Sequence, residues 1–203
     1  MTGTVELLRR EIMGWERGRI FFIDDFASYD SQWGVRFGLS QMAGEGFIIR
    51  LARGVYCYPR IEGEYMPTIV TPSPETIANA IATRERVRII PYGDQAAYKL
   101  GLTGVRVSDL KYLTDGASRR ICLSKGKKIY FNHTSEVKMF DFCNSEMQMV
   151  CSAIRAIGIE MIGEDGRRRI HDVLRHIPET EFMKDLKIPP AWVQEYILDI
   201  WNS

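Results

Sequence analysis

The sequence predicts an α+β chain: a three-helix segment closing on a β-hairpin, then a mixed α/β domain with a helical C-terminal tail. Three observations carry that expectation. Apolar residues recur at spacings of three and four near the start of the chain. Two short apolar runs flank a glycine turn at residues 47–58. Between these regions, residues 60–74 hold Pro67, Pro72 and Pro74, a linker composition. The expected organisation is therefore residues 1–60, a linker at 61–74, and a second domain at 75–203.

In the first domain, Val5, Leu8, Ile12 and Trp15 fall on one face of a helix that Gly18 ends. Ile20 to Ile23 is a short apolar run, and a brief second helix is expected over Asp24 to Tyr29. Asp30 or Ser31 caps a third helix reaching about Ala43. Val35, Leu39 and Met42 form its inward stripe, and Gly44 and Gly46 stop it. Phe47 to Leu51 reads as a strand. Ala52-Arg53-Gly54 turns the chain, with Gly54 available for positive φ, and Val55 to Tyr58 returns until Pro59.

In the second domain, Ser73 caps a helix from Pro74 to Arg86 with Ile77, Ala80 and Ile81 inward. Val87 to Ile90 is a short strand, Tyr92 to Leu100 a helix stopped by Gly101, and Lys111 to Thr114 extended. Arg119–Leu123 and Lys128–Asn132 form a hairpin across Ser124-Lys125-Gly126-Lys127. Three helices, at about 144–157, 164–177 and 189–201, complete the chain.

The 203 residues are 45% hydrophobic and 26% charged, which excludes a disordered tail. No window of about 18 residues is continuously apolar, so no membrane-spanning helix is expected. The start MTGTVELLRREIM is amphipathic and carries Glu6 and Glu11, unlike a secretory leader. A cytoplasmic bacterial protein is the expectation. Cys57, Cys122, Cys143 and Cys151 make no CxxC pair, and His133, His171 and His176 add no ligand spacing. Four separate buried thiols, with no metal and no cofactor, are expected.

The net charge of +1 is unevenly spread. Residues 99–138 hold nine basic and three acidic side chains, whereas residues 139–203 hold seven and eleven. The basic middle, with Lys99, Arg106, Lys111, Arg119, Arg120, Lys125, Lys127 and Lys128, reads either as a second electropositive surface for DNA or RNA or as a solvated face whose lysines protect a sheet edge.

Three helices followed by a hairpin is the arrangement of a winged helix-turn-helix, whose third helix enters the major groove of duplex DNA. The helix front is then Ser31, Gln32, Arg36, Ser40 and Gln41. Gln32 and Arg36 share a face, and glutamine pairs bidentately with adenine as arginine does with guanine. Arg50 and Arg53 sit on the hairpin, where phosphate contacts give register. Ser28 and Tyr29 are further phosphate donors. Trp33 is open between stacking on a sugar and a partial core position, the latter preferred. The competing reading is a protein-interaction module, since short three-helix units with a hairpin also serve that role.

Catalytic patterns fail one by one. Asp24 and Asp25 are neighbours and point about 100° apart on a helix. Gly44-x-Gly46 lacks a third glycine and lies between helix and strand, the reverse of a dinucleotide loop. No phosphate loop, GxSxG or HExxH occurs. His171 and His176 lie among Arg167, Arg168, Arg169 and Arg175, which suits a nucleic-acid contact or a solvated patch. No enzyme activity is expected.

The run RIFFIDDFASYDSQWGVRFGLSQMAGEGFIIRLARGVYCYP, residues 19–59, resembles the N-terminal domain of AbiEi-type antitoxins of type IV toxin–antitoxin systems. There, an aromatic stretch precedes an acidic DF, then a helix of the form VRxxLSxL and a hairpin of the form RLARGVYYxP. YGDQAAYKLGLTG, residues 92–104, and YLTDGASRRICLSKGKKIYF, residues 112–131, resemble the family's second domain. The resemblance covers about half of the chain. It implies an antitoxin that represses its own promoter through double-stranded DNA and neutralises a cognate nucleotidyltransferase toxin, usually without a stable complex. Two departures stand out. Gln41 replaces a residue that is often basic, and Ala43-Gly44-Glu45 stand where lysines often precede the glycine, so this copy is less basic on its DNA face.

Overall fold

The computed structural model describes residues 2–203 apart from 64, 106 and 107. Among the described residues, eight α-helices and nine strands in three small sheets form an α+β chain. The chain divides into two compact units, one of residues 1–81 with 121–128, the other of residues 82–120 with 129–203.

The first unit begins with α1 (Thr2–Met13) and β1 (Ile20–Phe22). The helix expected over 24–29 is instead a single 3-10 turn, Ile23–Phe26. The Asp25 carboxylate accepts from the Phe22 amide at 2.8 Å, and Ala27 N–H reaches back to Asp24. The turn is closed by i→i+3 bonds before an α-helical turn can develop. After it come α2 (Gln32–Gly44), β2 (Ile49–Ala52) and β3 (Val55–Cys57). The strands form an antiparallel sheet in the order β1-β3-β2, and Gly54 makes the β2–β3 turn at φ +75°.

The stretch expected to be linker holds a two-stranded antiparallel ribbon, β4 (Arg60–Glu62) with β5 (Thr68–Val70). All six residues are exposed, so no apolar alternation marks them in the sequence. α3 (Pro74–Glu85) follows with Ser73 as cap: its hydroxyl accepts from the Thr76 amide at 3.1 Å.

The core of this unit sits between α1, α2 and the sheet. Leu8, Ile12, Phe21, Phe26, Val35, Leu39 and Met42 are wholly buried there. Trp15 lies against Phe21 and Phe26, with centroids at 5.1 and 5.7 Å. Each such large apolar side chain contributes about 1.5–3 kcal/mol of burial. α1 approaches α2 closely because α2 turns Gly34 and Gly38 toward it. A Cβ at Gly38 would lie 3.0 Å from the Leu8 side chain and 3.3 Å from that of Val5.

The second unit contains β6 (Ile89–Pro91), α4 (Gly93–Lys99) and β7 (Leu110–Thr114), with residues 119–120 of β8 (Arg119–Cys122) and 129–133 of β9 (Lys128–His133). The sheet order is β6-β7-β9-β8, with β6 antiparallel and β9 parallel to β7. The tail has one more α-helix than expected: α5 (Ser145–Ile157), α6 (Glu164–Leu174), α7 (Glu179–Asp185) and α8 (Ala191–Trp201). Seven residues are too few for α7 to show a periodic stripe. It is held by fully buried Phe182, stacked on Trp201 at 4.0 Å. Buried Asp185 at its end accepts from the amides of Cys143 and Asn144 at 2.9 and 2.8 Å, satisfying donors at the start of α5. Met147, Val150, Cys151 and Ile154 of α5 form the centre of this core with Ile170, Leu174, Val193 and Ile197.

Candidate nucleic-acid interface

α2 is built as the sequence requires. Ser31 caps it, accepting from Gly34 N–H at 3.0 Å, and Val35, Leu39 and Met42 are buried beneath. The opposite face is solvent-exposed and carries Ser31, Gln32, Trp33, Arg36, Phe37, Ser40 and Gln41. The expected front of the helix is therefore accessible, but its members are differently engaged.

The Gln32 amide nitrogen donates to three carbonyls, of Phe26, Ala27 and Tyr29, at 3.1, 3.3 and 3.2 Å. Those donors close the turn before α2, whereas bidentate pairing with adenine needs them free. Gln41 donates to Glu45 at 2.9 Å, and Glu45 also meets Arg9. The bond from Gln41, and next that from Arg9, holds the Glu45 carboxyl below its ordinary value. Tyr29 donates its hydroxyl to Glu11 at 2.7 Å; burial first, then that bond and charge, push its pKa up to about 12. Ser28 is exposed.

Arg36 on α2, Arg50 on β2 and Arg53 in the β2–β3 turn are exposed, and their guanidinium groups have no ion-pair or hydrogen-bond partner among the described residues. Trp33 is not a core residue. It is 59% exposed and stacks on Phe37 at 5.4 Å and 11°, forming an aromatic pair on the outer face beside Arg36. Phe37 was legible as the i+4 neighbour of Trp33, outside the buried stripe, but the sequence reading did not single it out.

The side chains of the basic middle of the chain are differently engaged. Arg119 pairs with Glu85 and lies over Phe131, and Lys111 pairs with Asp94 at 2.9 Å. Both belong to the second unit, as does exposed Arg120. Lys125, Lys127 and Lys128 belong to the first unit. Arg106 lies outside the described residues. In the first unit, the Ser124 amide donates to Leu51 O at 2.8 Å and its hydroxyl to Arg50 O at 2.6 Å. This bond pair fixes the 124–127 turn against β2, so Lys125 and Lys127 share a groove with Arg50. Some 75 residues separate these cations in the sequence.

Two arginines of α6 and the Arg175 that follows it are paired. Arg167 meets Asp199 at 2.7 Å, Arg168 meets Asp165 at 3.2 Å and Arg175 meets Asp172 at 3.4 Å. The cysteines are unpaired with one another, but only Cys57 and Cys151 are buried; Cys122 and Cys143 are exposed, against the expectation of four buried thiols. Among the described residues, no group of three His, Cys, Asp or Glu side chains gathers as a metal site. Likewise, none of the described helices is long and apolar enough to cross a membrane.

Fold and surface together define an α+β protein whose N-terminal unit exposes unpaired arginines on a helix and a hairpin. Residues 8–182 match the Family of unknown function (DUF6088), and the chain belongs to that family. No curated protein and no solved structure matches it.

Proposed function

We propose that the first unit is a winged helix-turn-helix that binds double-stranded promoter DNA, with α2 as recognition helix and the β2–β3 hairpin as wing. The observation that carries this reading is the placement of Arg36 on the outer face of α2 and of Arg50 and Arg53 on the hairpin, each exposed and unpaired among the described residues. The order helix, strand, short turn, helix, then hairpin also suits it. Arg36 is the base-reading side chain and Arg50 and Arg53 bind phosphates. Ser31, Ser40 and, through its free oxygen, Gln32 supply secondary contacts. Gln41 contributes by ordering Glu45.

The resemblance of residues 19–59, 92–104 and 112–131 to AbiEi-type antitoxins extends the proposal. The chain represses its own operon and neutralises a cognate nucleotidyltransferase toxin from the bacterial cytoplasm, without catalysing a reaction itself. Fluorescence anisotropy with promoter DNA tests the first part. Arg36→Ala should weaken binding by about 1–3 kcal/mol and relax base preference. Arg53→Ala should weaken all sequences alike and reduce the slope of log K against log salt by about 0.9. Wild-type binding by both variants refutes the reading. Co-expression with the toxin tests the second part, restored growth being the expected result.

A second reading is favoured by one observation, the exposed Trp33–Phe37 stack. An aromatic pair on an accessible helix face suits a protein partner, because large aromatics dominate interface energetics. Salt separates the two. Duplex binding falls steeply with ionic strength, whereas a complex lost on Trp33→Ala and insensitive to salt marks a protein interface.

A further inference from the structure

The groove of the first unit has a floor and a rim of different chemistry. Its volume is about 270 Å3, just under the roughly 300–1,000 Å3 of typical small-molecule sites. Buried Leu51, Ile77 and Leu123 supply apolar walls. The charged side chains lining it are Arg50, Lys125 and Lys127, and none of its lining residues is acidic. Neither Arg50 nor Lys127 has an ion-pair partner among the described residues. Lys125 is held by a neutral group, its Nζ donating to Thr71 Oγ1 at 3.2 Å, which orients the ammonium without cancelling its charge.

The groove is also preformed. The Ser124 bonds to the carbonyls of Arg50 and Leu51 tie two of its walls together, and the Ser73 cap fixes the start of α3 at a third. Three like charges around an apolar hollow are an arrangement that an anion relieves. A ligand with an apolar body and one anionic group satisfies both parts: the body displaces water from Leu51, Ile77 and Leu123, and the anion takes charge-assisted hydrogen bonds from the rim.

We propose that this groove is a binding site for a small organic anion, an aromatic or branched body bearing one carboxylate or phosphate. The inference does not rest on the DNA-binding reading. The test is a 1H–15N NMR titration of the full chain with naphthalene-2-carboxylate and with its neutral twin, naphthalene-2-carboxamide. The carboxylate should shift the amides of Leu51, Ile77, Ser124 and Lys125 saturably, and the carboxamide should bind about tenfold more weakly. The Lys125→Glu, Lys127→Glu double variant, altered only at exposed positions, should weaken carboxylate binding by at least about tenfold and leave the carboxamide unchanged. An unchanged spectrum of the remaining amides shows that the variant is folded. The proposal is overturned if the carboxylate leaves these amides unmoved, if the two probes bind equally, or if the double variant binds the carboxylate as wild type does. An unmoved spectrum together with weaker duplex binding by the double variant assigns the two lysines to DNA phosphate instead.

Discussion

The contact between α1 and α2 makes opposite predictions for one substitution at two positions of the same helix. Gly38→Ala brings a Cβ to 3.0 Å from Leu8 and 3.3 Å from Val5. Leu8 is fully buried and cannot swing into solvent. Overpacking of this kind costs about 1–3 kcal/mol, and the better helix propensity of alanine returns about 0.8–1 kcal/mol. The net expectation is a loss centred on about 1 kcal/mol, within a range of about 0–2 kcal/mol. Gly44→Ala meets nothing within 4 Å and does not sit at positive φ. With only the propensity gain acting, it should stabilise by about 0.5 kcal/mol at this terminal position. Thermal unfolding followed by intrinsic fluorescence reads both, since Trp15 and Trp33 lie in this unit. For a chain of this size, each kcal/mol moves the midpoint by roughly 2–4 °C. If Gly38→Ala melts at or above wild type, α1 does not rest on Gly38 and the packing argument is wrong.

Three further outcomes follow from the same geometry. Gln32→Ala should cost about 1 kcal/mol of stability while leaving base preference in a site-selection experiment unchanged, because its amide donors serve the carbonyls of Phe26, Ala27 and Tyr29; altered preference would place those donors on a base. Asp115 has its carboxyl held low, chiefly by the Arg88 side chain. A depressed folded pKa stabilises above the unfolded value and is lost as pH falls through the folded one, so Asp115→Asn should be less stable at pH 7 and lose less than wild type below about pH 4. Equal acid limbs in urea titrations would contradict that. Native protein should react with a thiol reagent at Cys122 first, then Cys143, whose thiol is raised by its bond to Asp185. Cys57, pushed up to about 11 by burial, and buried Cys151 should wait for unfolding; early labelling of Cys57, read by mass spectrometry, counts against the core described for the first unit.

The elements visible in the sequence are those that combine a cap, a stripe and a stop. α2 shows Ser31, then Val35, Leu39 and Met42, then glycine, and the structure follows that pattern. The β2–β3 turn was visible because Gly54 takes a positive φ. What escaped lacked such a signature. The Ile23–Phe26 turn is set by one carboxylate reaching one amide, and β4 and β5 have no buried face to alternate against. At the candidate interface, exposure could be read from helical phase, so Arg36 and Ser40 fall where expected. The engagement of Gln32 depends on carbonyls that the preceding turn aims at it, which no spacing encodes. The meeting of Arg50 with Lys125 and Lys127 depends on the Ser124 bonds, which join distant parts of the chain.

Because residues 121–128 belong to the first unit, that unit is discontinuous in the gene. A fragment cut after residue 81 loses the buried Leu123 and also Ser124 with the bonds it makes to β2. The proline-rich stretch at 67–74, which invites truncation, is therefore the wrong place to dissect this protein. Exchanging the N-terminal half between family members requires transplanting two stretches of coding sequence at once, and a chimera joined at a single crossover inherits a mismatched turn.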